Sequence, residues 1–330
     1  QRVTMNGPTW TPEEWAEGIR RADRAFLGRA LSLVESTLPD DAERASALFA
    51  ALGSPPNSTF RLGLTGNPGA GKSTLTEALG LRWADQGHRV AVLAVDPSSS
   101  LHRGSILGDK TRMERLSRHP NAFIRPVASA GQLGGVAPST RAAIELLELA
   151  GYTKIIVETV GVGQNETDAA NYVDGLLLLA LPNAGDDVQG IKRGIMERAD
   201  LVAVNKCDGS FADAGRRTAT QLRESLKWFS REDGWTVPVA QISATESLGL
   251  DALEADLDRY ERWVRGTGAF DGRRGEQREQ AWRAAWLQAL TQWADQQPQL
   301  QKIYASARAA TELGRRPEAA IAAAFRKAQP

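Results

Sequence analysis

Hydrophobic positions change period twice along this 330-residue chain. At the N-terminal end Ile19, Phe26, Leu27, Ala30, Leu31 and Val34 recur at helical spacing. Thr11-Pro12-Glu13-Glu14 supplies the start signal: an N-cap, a proline at the first helical position and acids in the first turn. The stripe predicts one helix running toward Pro39 and a second from Asp40 to near Gly53. Ser54-Pro55-Pro56-Asn57-Ser58 then reads as a linker.

Beyond the linker the pattern becomes short, near-continuous apolar runs at 60–65, 90–95, 122–127, 154–159, 176–181, 201–205 and 237–243. Helical stretches or long loops separate most of them. Runs of that kind mark strands buried on both faces, so the expected fold is α/β, a mainly parallel sheet flanked by helices. Helical spacing returns from Leu250, through Leu253, Leu257, Tyr260 and Trp263. It continues in a stripe of Trp282, Trp286, Leu287, Leu290 and Trp293, and then from Ile303 to Phe325. The Gly-rich stretch 265–274 reads as a bend into a projecting helical arm. The expected organisation is an N-terminal helical extension (1–58), an α/β domain (59–264) and a C-terminal helical arm (265–330), with no internal repeat.

Composition narrows the function classes. Forty basic residues balance forty acidic ones, which argues against a general polyanion binder, because counterion release needs a basic surface. The arm carries 11 basic and 6 acidic residues. Its tryptophans nevertheless follow a helical stripe, which points to packing or self-association and not to nucleic acid. One cysteine, Cys207, excludes a disulfide framework and a thiolate-rich metal site. The longest apolar run, 176–181, is too short for the roughly 20 residues of a membrane span. A polar start and the lone cysteine make a soluble, cytoplasmic protein the expectation.

Candidate chemistry begins immediately after the first predicted strand. Gly66-Asn67-Pro68-Gly69-Ala70-Gly71-Lys72-Ser73-Thr74 matches G-x-x-x-x-G-K-[ST]. Glycines let the backbone wrap phosphates with its N–H groups, and the following helix directs its positive end at the same anion. Lys72 is expected to reach the β- and γ-phosphates, and the Ser73 hydroxyl to ligate Mg²⁺. Asn205-Lys206-Cys207-Asp208 follows a later strand in the N-K-x-D pattern. A carboxylate at Asp208 can accept from both the ring N–H and the exocyclic amine of guanine, whereas adenine would meet it with an acceptor. Ser243-Ala244-Thr245 follows the last strand, where a guanine-supporting loop is expected. Together the three elements predict a GTP/GDP site.

Carboxylates complete the phosphate end. Glu158 ends the strand at 154–159, with Gly161 three residues on; the acid is placed for Mg²⁺ and the glycine for the γ-phosphate. Asp96 ends the second strand, in Asp96-Pro97-Ser98, and Asp109 follows in Gly108-Asp109-Lys110. Both are candidate Mg²⁺ ligands; their plainer roles are a turn residue and a helix cap. The loop at 181–192 is rich in turn formers and holds Asp186 and Lys192. As a surface ion pair these two would contribute little.

The ordered set of 66–74, 94–99, 104–112, 133–137, 158–164, 185–194 and 204–208 resembles the MeaB/ArgK-type GTPases. Asn67, Asn165 and Asn183 and the Ala137-Pro138-Ser139 run depart slightly from that pattern. The resemblance implies a G domain of the SIMIBI class that dimerises through its helical extension. It implies a chaperone of an adenosylcobalamin-dependent acyl-CoA mutase, with GTP hydrolysis gating cofactor delivery from an adenosyltransferase and protecting or reactivating the mutase. The cobalamin would be held by the partner mutase and not by this chain. It also implies switch segments at 96–112 and 158–172, a third at 181–192 carrying Asp186 and Lys192, and slow, partner-stimulated hydrolysis.

Three nucleotide-binding alternatives stand beside this. A nickel-delivering GTPase would need clustered imidazole or thiolate ligands, and His88, His102, His119 and Cys207 form no sequence cluster. A small-molecule kinase fits the guanine loop and the switches less well. A scaffold that binds GTP without turnover carries the same motifs, because a motif shows a site and not a rate.

Overall fold

All seven apolar runs form parallel strands of one sheet: β1 (Phe60–Gly66), β2 (Val90–Asp96), β3 (Ala122–Ala128), β4 (Lys154–Glu158), β5 (Gly175–Ala180), β6 (Leu201–Val204) and β7 (Val239–Gln241). Their order is β3-β2-β4-β1-β5-β6-β7. The computed structural model describes residues 10–36, 38–96, 113–128, 138–159, 170–182, 193–229, 231, 233–312, 314 and 316–328. By contact the chain divides into two compact units, Gln1–Arg274 and Gly275–Pro330, with the division falling inside one helix.

The strand order explains where a ligand belongs. After β1 the chain moves through helix α4 (Lys72–Asp85) to β2 on one side, and later crosses β1 to lay down β5, β6 and β7 on the other. β1 therefore lies at a switch point, where loops at the carboxyl ends of the strands diverge and leave a crevice. Both sheet faces are covered. Leu75, Leu79 and Trp83 of α4 pack with Leu253, Leu257 and Tyr260 over one face, while Ile19, Leu27, Leu31 and Leu48 pack with Ala143 and Leu147 over the other. Such two-sided burial is why the strands read as apolar runs and not as alternation.

The N-terminal segment differs from its expected single helix. It forms α1 (Pro12–Arg20) and α2 (Arg24–Val34), followed by α3 (Pro39–Leu52). Asp23 breaks the first two apart: its carboxylate accepts from the N–H groups of Ala25 (2.8 Å) and Phe26 (3.2 Å), forming a new N-cap. Ala22 takes up the turn at φ 55°. Thr11 caps α1 as expected, and Glu14 returns the bond to complete a capping box.

The predicted bend at 265–274 is also shorter than expected. Helix Leu250–Gly266 ends at Thr267-Gly268, and a 27-residue helix, Ala269–Asp295, starts at once. Gly272 and Gly275 are therefore helical. In the second unit, helices Pro298–Glu312 and Pro317–Ala328 pack through Ala307, Ala320 and Ala324. The tryptophan stripe is exposed within the chain, Trp282 at 62%, with Trp282 and Trp286 stacked at 5.8 Å. Among the described residues no helix is long and apolar enough to cross a membrane.

Candidate nucleotide site

The loop at 66–71 connects the end of β1 to the first turn of α4, as its glycines require. Gly66 adopts φ 146°, and a Cβ there would lie 2.2 Å from the Leu179 carbonyl oxygen. Gly71, at φ 91°, caps α4 with no side chain, and a Cβ there would lie 2.5 Å from Asn205 Nδ2. Ala70 is buried, while Pro68, Gly69 and Thr74 are exposed at the mouth of the loop. Lys72 is the first helical residue, and its Nζ donates to the carbonyls of Gly66 (2.7 Å) and Asn67 (3.1 Å). A lysine held across its own loop places a positive charge beside the N–H groups at the start of α4, the arrangement that suits a polyphosphate.

β4 pairs with β1 in parallel, Glu158 opposite Leu64, so the glutamate emerges beside the start of α4. Ser73 Oγ donates to Glu158 Oε1 at 2.7 Å, and Thr76 Oγ1 to Oε2 at 3.3 Å. A hydroxyl and a carboxylate in contact form a hard oxygen donor set at the phosphate end of the loop, which fits Mg²⁺. Asp96 ends β2, which pairs with β4 through Ala94 and Glu158. The Asp96 side chain, and Asp109, Gly161, Asp186 and Lys192 altogether, lie outside the described residues.

The base end is assembled from β6 and β7. Asn205 is buried and links two loops: its Nδ2 donates to the Ala70 carbonyl (2.8 Å), and its Oδ1 accepts from the Ala244 N–H (3.0 Å). The phosphate loop and the 243–245 loop are thus held by one amide. Lys206 is exposed at φ 60°, and the Cys207 N–H donates to the Ile242 carbonyl at 2.9 Å. Ser243 is buried with its Oγ 3.1 Å from Thr245 Oγ1. Asp208 precedes the turn Gly209–Phe211, yet its side chain makes no capping bond. The ordinary capping role therefore does not occupy its carboxylate.

Two residues outside the motifs, and one at a variable position within the phosphate loop, also build the site. Thr76 stands one turn beyond Ser73 on the same face of α4, a spacing that marks it only once Glu158 is placed. Ala70 contributes through its carbonyl, which any residue possesses. Gly215, in helix Ala212–Leu226, receives the Cys207 side chain: a Cβ there would lie 2.3 Å from Sγ. Burial also pushes the Cys207 thiol above its ordinary pKa, as expected of a packed wall residue. Gly215→Ala is expected to overpack this contact, destabilise the protein by about 1–3 kcal/mol and weaken GDP binding. Adding Cys207→Ala should recover much of both. A melting curve and GDP titration of the single and double variants check this, and no recovery would place the strain elsewhere.

Comparison with known proteins agrees with this geometry. A model of the methylmalonyl-CoA mutase-associated GTPase family MeaB matches residues 27–299. A protein of Mycobacterium tuberculosis named as a probable GTPase is 49% identical over 268 residues, covering 81% of this chain and 80% of its own. GTPase ArgK of Escherichia coli is 47% identical, covering 72% of this chain and 73% of its own. The mouse methylmalonic aciduria type A homolog is 43% identical, covering 79% of this chain and 65% of its own. A crystal structure titled LAO/AO transport system kinase superposes with a TM-score of 0.77 at 30% identity, covering 97% of this chain and 98% of that one. With the phosphate loop, the sheet order and these matches in hand, the chain belongs to the MeaB family of methylmalonyl-CoA mutase-associated GTPases, and it is a P-loop GTPase.

Proposed function

We propose that this GTPase is a cytoplasmic chaperone of an adenosylcobalamin-dependent acyl-CoA mutase, whose GTP hydrolysis gates cofactor delivery and protects or reactivates the client. Family membership over residues 27–299 supports the mutase partnership. The observation that carries the nucleotide reading is Asn205, whose single amide holds the phosphate loop and the 243–245 loop together.

In this reading the backbone N–H groups of 66–74 and Lys72 hold the phosphates. Asn205, Lys206, Asp208 and the Ser243-Ala244-Thr245 loop hold guanine. Ser73 and Glu158, with Asp96 and Asp109, would hold Mg²⁺, which would neutralise phosphate charge when bound. The Gly161 N–H follows the γ-phosphate. Asp186 and Lys192 face the mutase from the third switch. Cobalamin remains with the partner, an adenosyltransferase supplies it, and the exposed Trp282–Trp286–Trp293 stripe suits a homodimer contact.

Phosphate release by the full chain, alone and with methylmalonyl-CoA mutase, tests this. A slow basal rate that rises on adding the mutase is expected. Lys72→Ala should lower both rates by about a hundredfold or more, because a charged donor at a developing phosphoryl charge is lost. Lys192→Ala should lower the stimulated rate more than the basal one. A ligand shifts only an equilibrium between states it binds unequally, so the lysine must act in the client-bound state. Equal loss of both rates would assign Lys192 to the nucleotide pocket. No stimulation by any acyl-CoA mutase would overturn the chaperone reading.

A further inference from the structure

We propose that Thr76 is a positioning residue for Glu158, fixing the carboxylate that the nucleotide-bound cation needs. The proposal rests on the reading of Glu158 as the Mg²⁺-side acid. Glu158 carries one more rotatable bond than an aspartate, so holding its carboxylate in one orientation sacrifices more side-chain freedom. A longer stem at the end of a strand needs a tether that the shorter acid would not.

Thr76 provides it. Ser73 and Thr76 lie one turn apart on α4, and their hydroxyls meet different oxygens of one carboxylate: Ser73 Oγ on Oε1 at 2.7 Å, Thr76 Oγ1 on Oε2 at 3.3 Å. Two donors on two oxygens fix the carboxylate plane as well as its position. Ser73 belongs to the candidate donor set, so its oxygen has a second task. Thr76, fully buried, does not. Other helical hydroxyls behave differently: Ser32, Thr220, Thr291 and Thr311 donate to the carbonyl four residues earlier. Thr76 reaches across to β4 instead. A buried hydroxyl takes the partner its surroundings supply, and here that partner is an acid.

The test follows release of a fluorescent GDP analogue from the full chain across a MgCl2 titration. Variants are Thr76→Val, nearly isosteric, Thr76→Ser, which keeps the hydroxyl, and Glu158→Gln. Thr76→Val is expected to raise the half-saturating Mg²⁺ concentration by about three- to tenfold, the range for losing one ordinary hydrogen bond, which suits a contact as long as 3.3 Å. Thr76→Ser should restore it toward the parent value. Release in EDTA should match the parent in both, because Thr76 supports the cation's ligand and not the nucleotide. Glu158→Gln should raise the Mg²⁺ requirement further than Thr76→Val. An unchanged requirement in Glu158→Gln would remove the reading of Glu158, and the proposal with it. A shift in Glu158→Gln with none in Thr76→Val would overturn the proposal and leave that reading standing. A shift shared by Thr76→Val and Thr76→Ser, or faster release in EDTA, would make Thr76 a packing residue and overturn the proposal too.

Discussion

Asp208→Asn is expected to weaken GTP binding by about 2–5 kcal/mol, roughly thirtyfold to several-thousandfold in Kd, and to improve xanthosine triphosphate relative to GTP. An aspartate accepts from two guanine donors at once. An asparagine keeps one acceptor and turns a donor toward the other, leaving a desolvated N–H without a partner. Xanthine carries a carbonyl where guanine carries the amine, so the new donor finds an acceptor there. The loop should survive the change. The Cys207 N–H is held by the Ile242 carbonyl, Asn205 is anchored at both ends, and the Asp208 side chain caps nothing. The loss should therefore appear in calorimetry with nucleotide and not in the melting temperature. Unchanged GTP affinity would remove Asp208 from the site.

Much of this molecule was legible because its chemistry is local. A parallel sheet covered on both faces leaves uninterrupted apolar runs, and those at 60–65 and 90–95 correspond to β1 and β2 with ends shifted by one residue. The phosphate loop was legible for a related reason: Gly66 and Gly71 occupy backbone geometry and space that no side chain could share. What escaped was long-range or ambiguous. Asp23 splits the first helix by capping the second, yet an aspartate on a helical surface reads as an ordinary solvated acid. Thr76 gains its meaning from Glu158, 82 residues away. The tryptophan stripe read correctly as apolar and helical, but period alone does not distinguish a buried face from one that meets a partner. Arg273 and Arg274, in what read as a Gly-rich bend, face acids 73 and 100 residues distant.

Those two arginines lead to the largest stability effect. Asp174 and Asp200, each 1% exposed, immediately precede β5 and β6, at the strand ends opposite the nucleotide loops. Arg274 donates to both oxygens of Asp174 (2.8 and 2.7 Å) and to the Thr59 carbonyl (2.8 Å), and the Arg61 N–H donates to Asp174 at 2.8 Å. Arg273 bonds Asp200 at 3.0 and 3.2 Å, and Arg231 joins the same acid at 3.0 Å. Burial works against the charge on Arg273, but Asp200, Tyr260 and Asp174 together outweigh it and hold the guanidinium above its ordinary pKa. A guanidinium stays charged at neutral pH even when a neighbouring acid is removed. Asp174→Ala leaves buried Arg274 with Glu148, at 3.2 Å, and the Thr59 carbonyl as its polar partners, its paired contact with Asp174 lost and the Arg61 N–H without that acceptor. Breaking a buried pair in this way costs about 3–5 kcal/mol, more than the pair's own net contribution, because the surviving charge is stranded. The melting midpoint should fall by roughly 6–20 °C, at 2–4 °C per kcal/mol. Because the lesion lies at the far end of the strands, GDP affinity measured well below the transition should stay within about threefold of the parent, an energy under 1 kcal/mol. A small melting shift would show the cluster to be replaceable. A large loss of GDP affinity in the folded protein would show that β5 and β6 transmit the disturbance to the loops they carry.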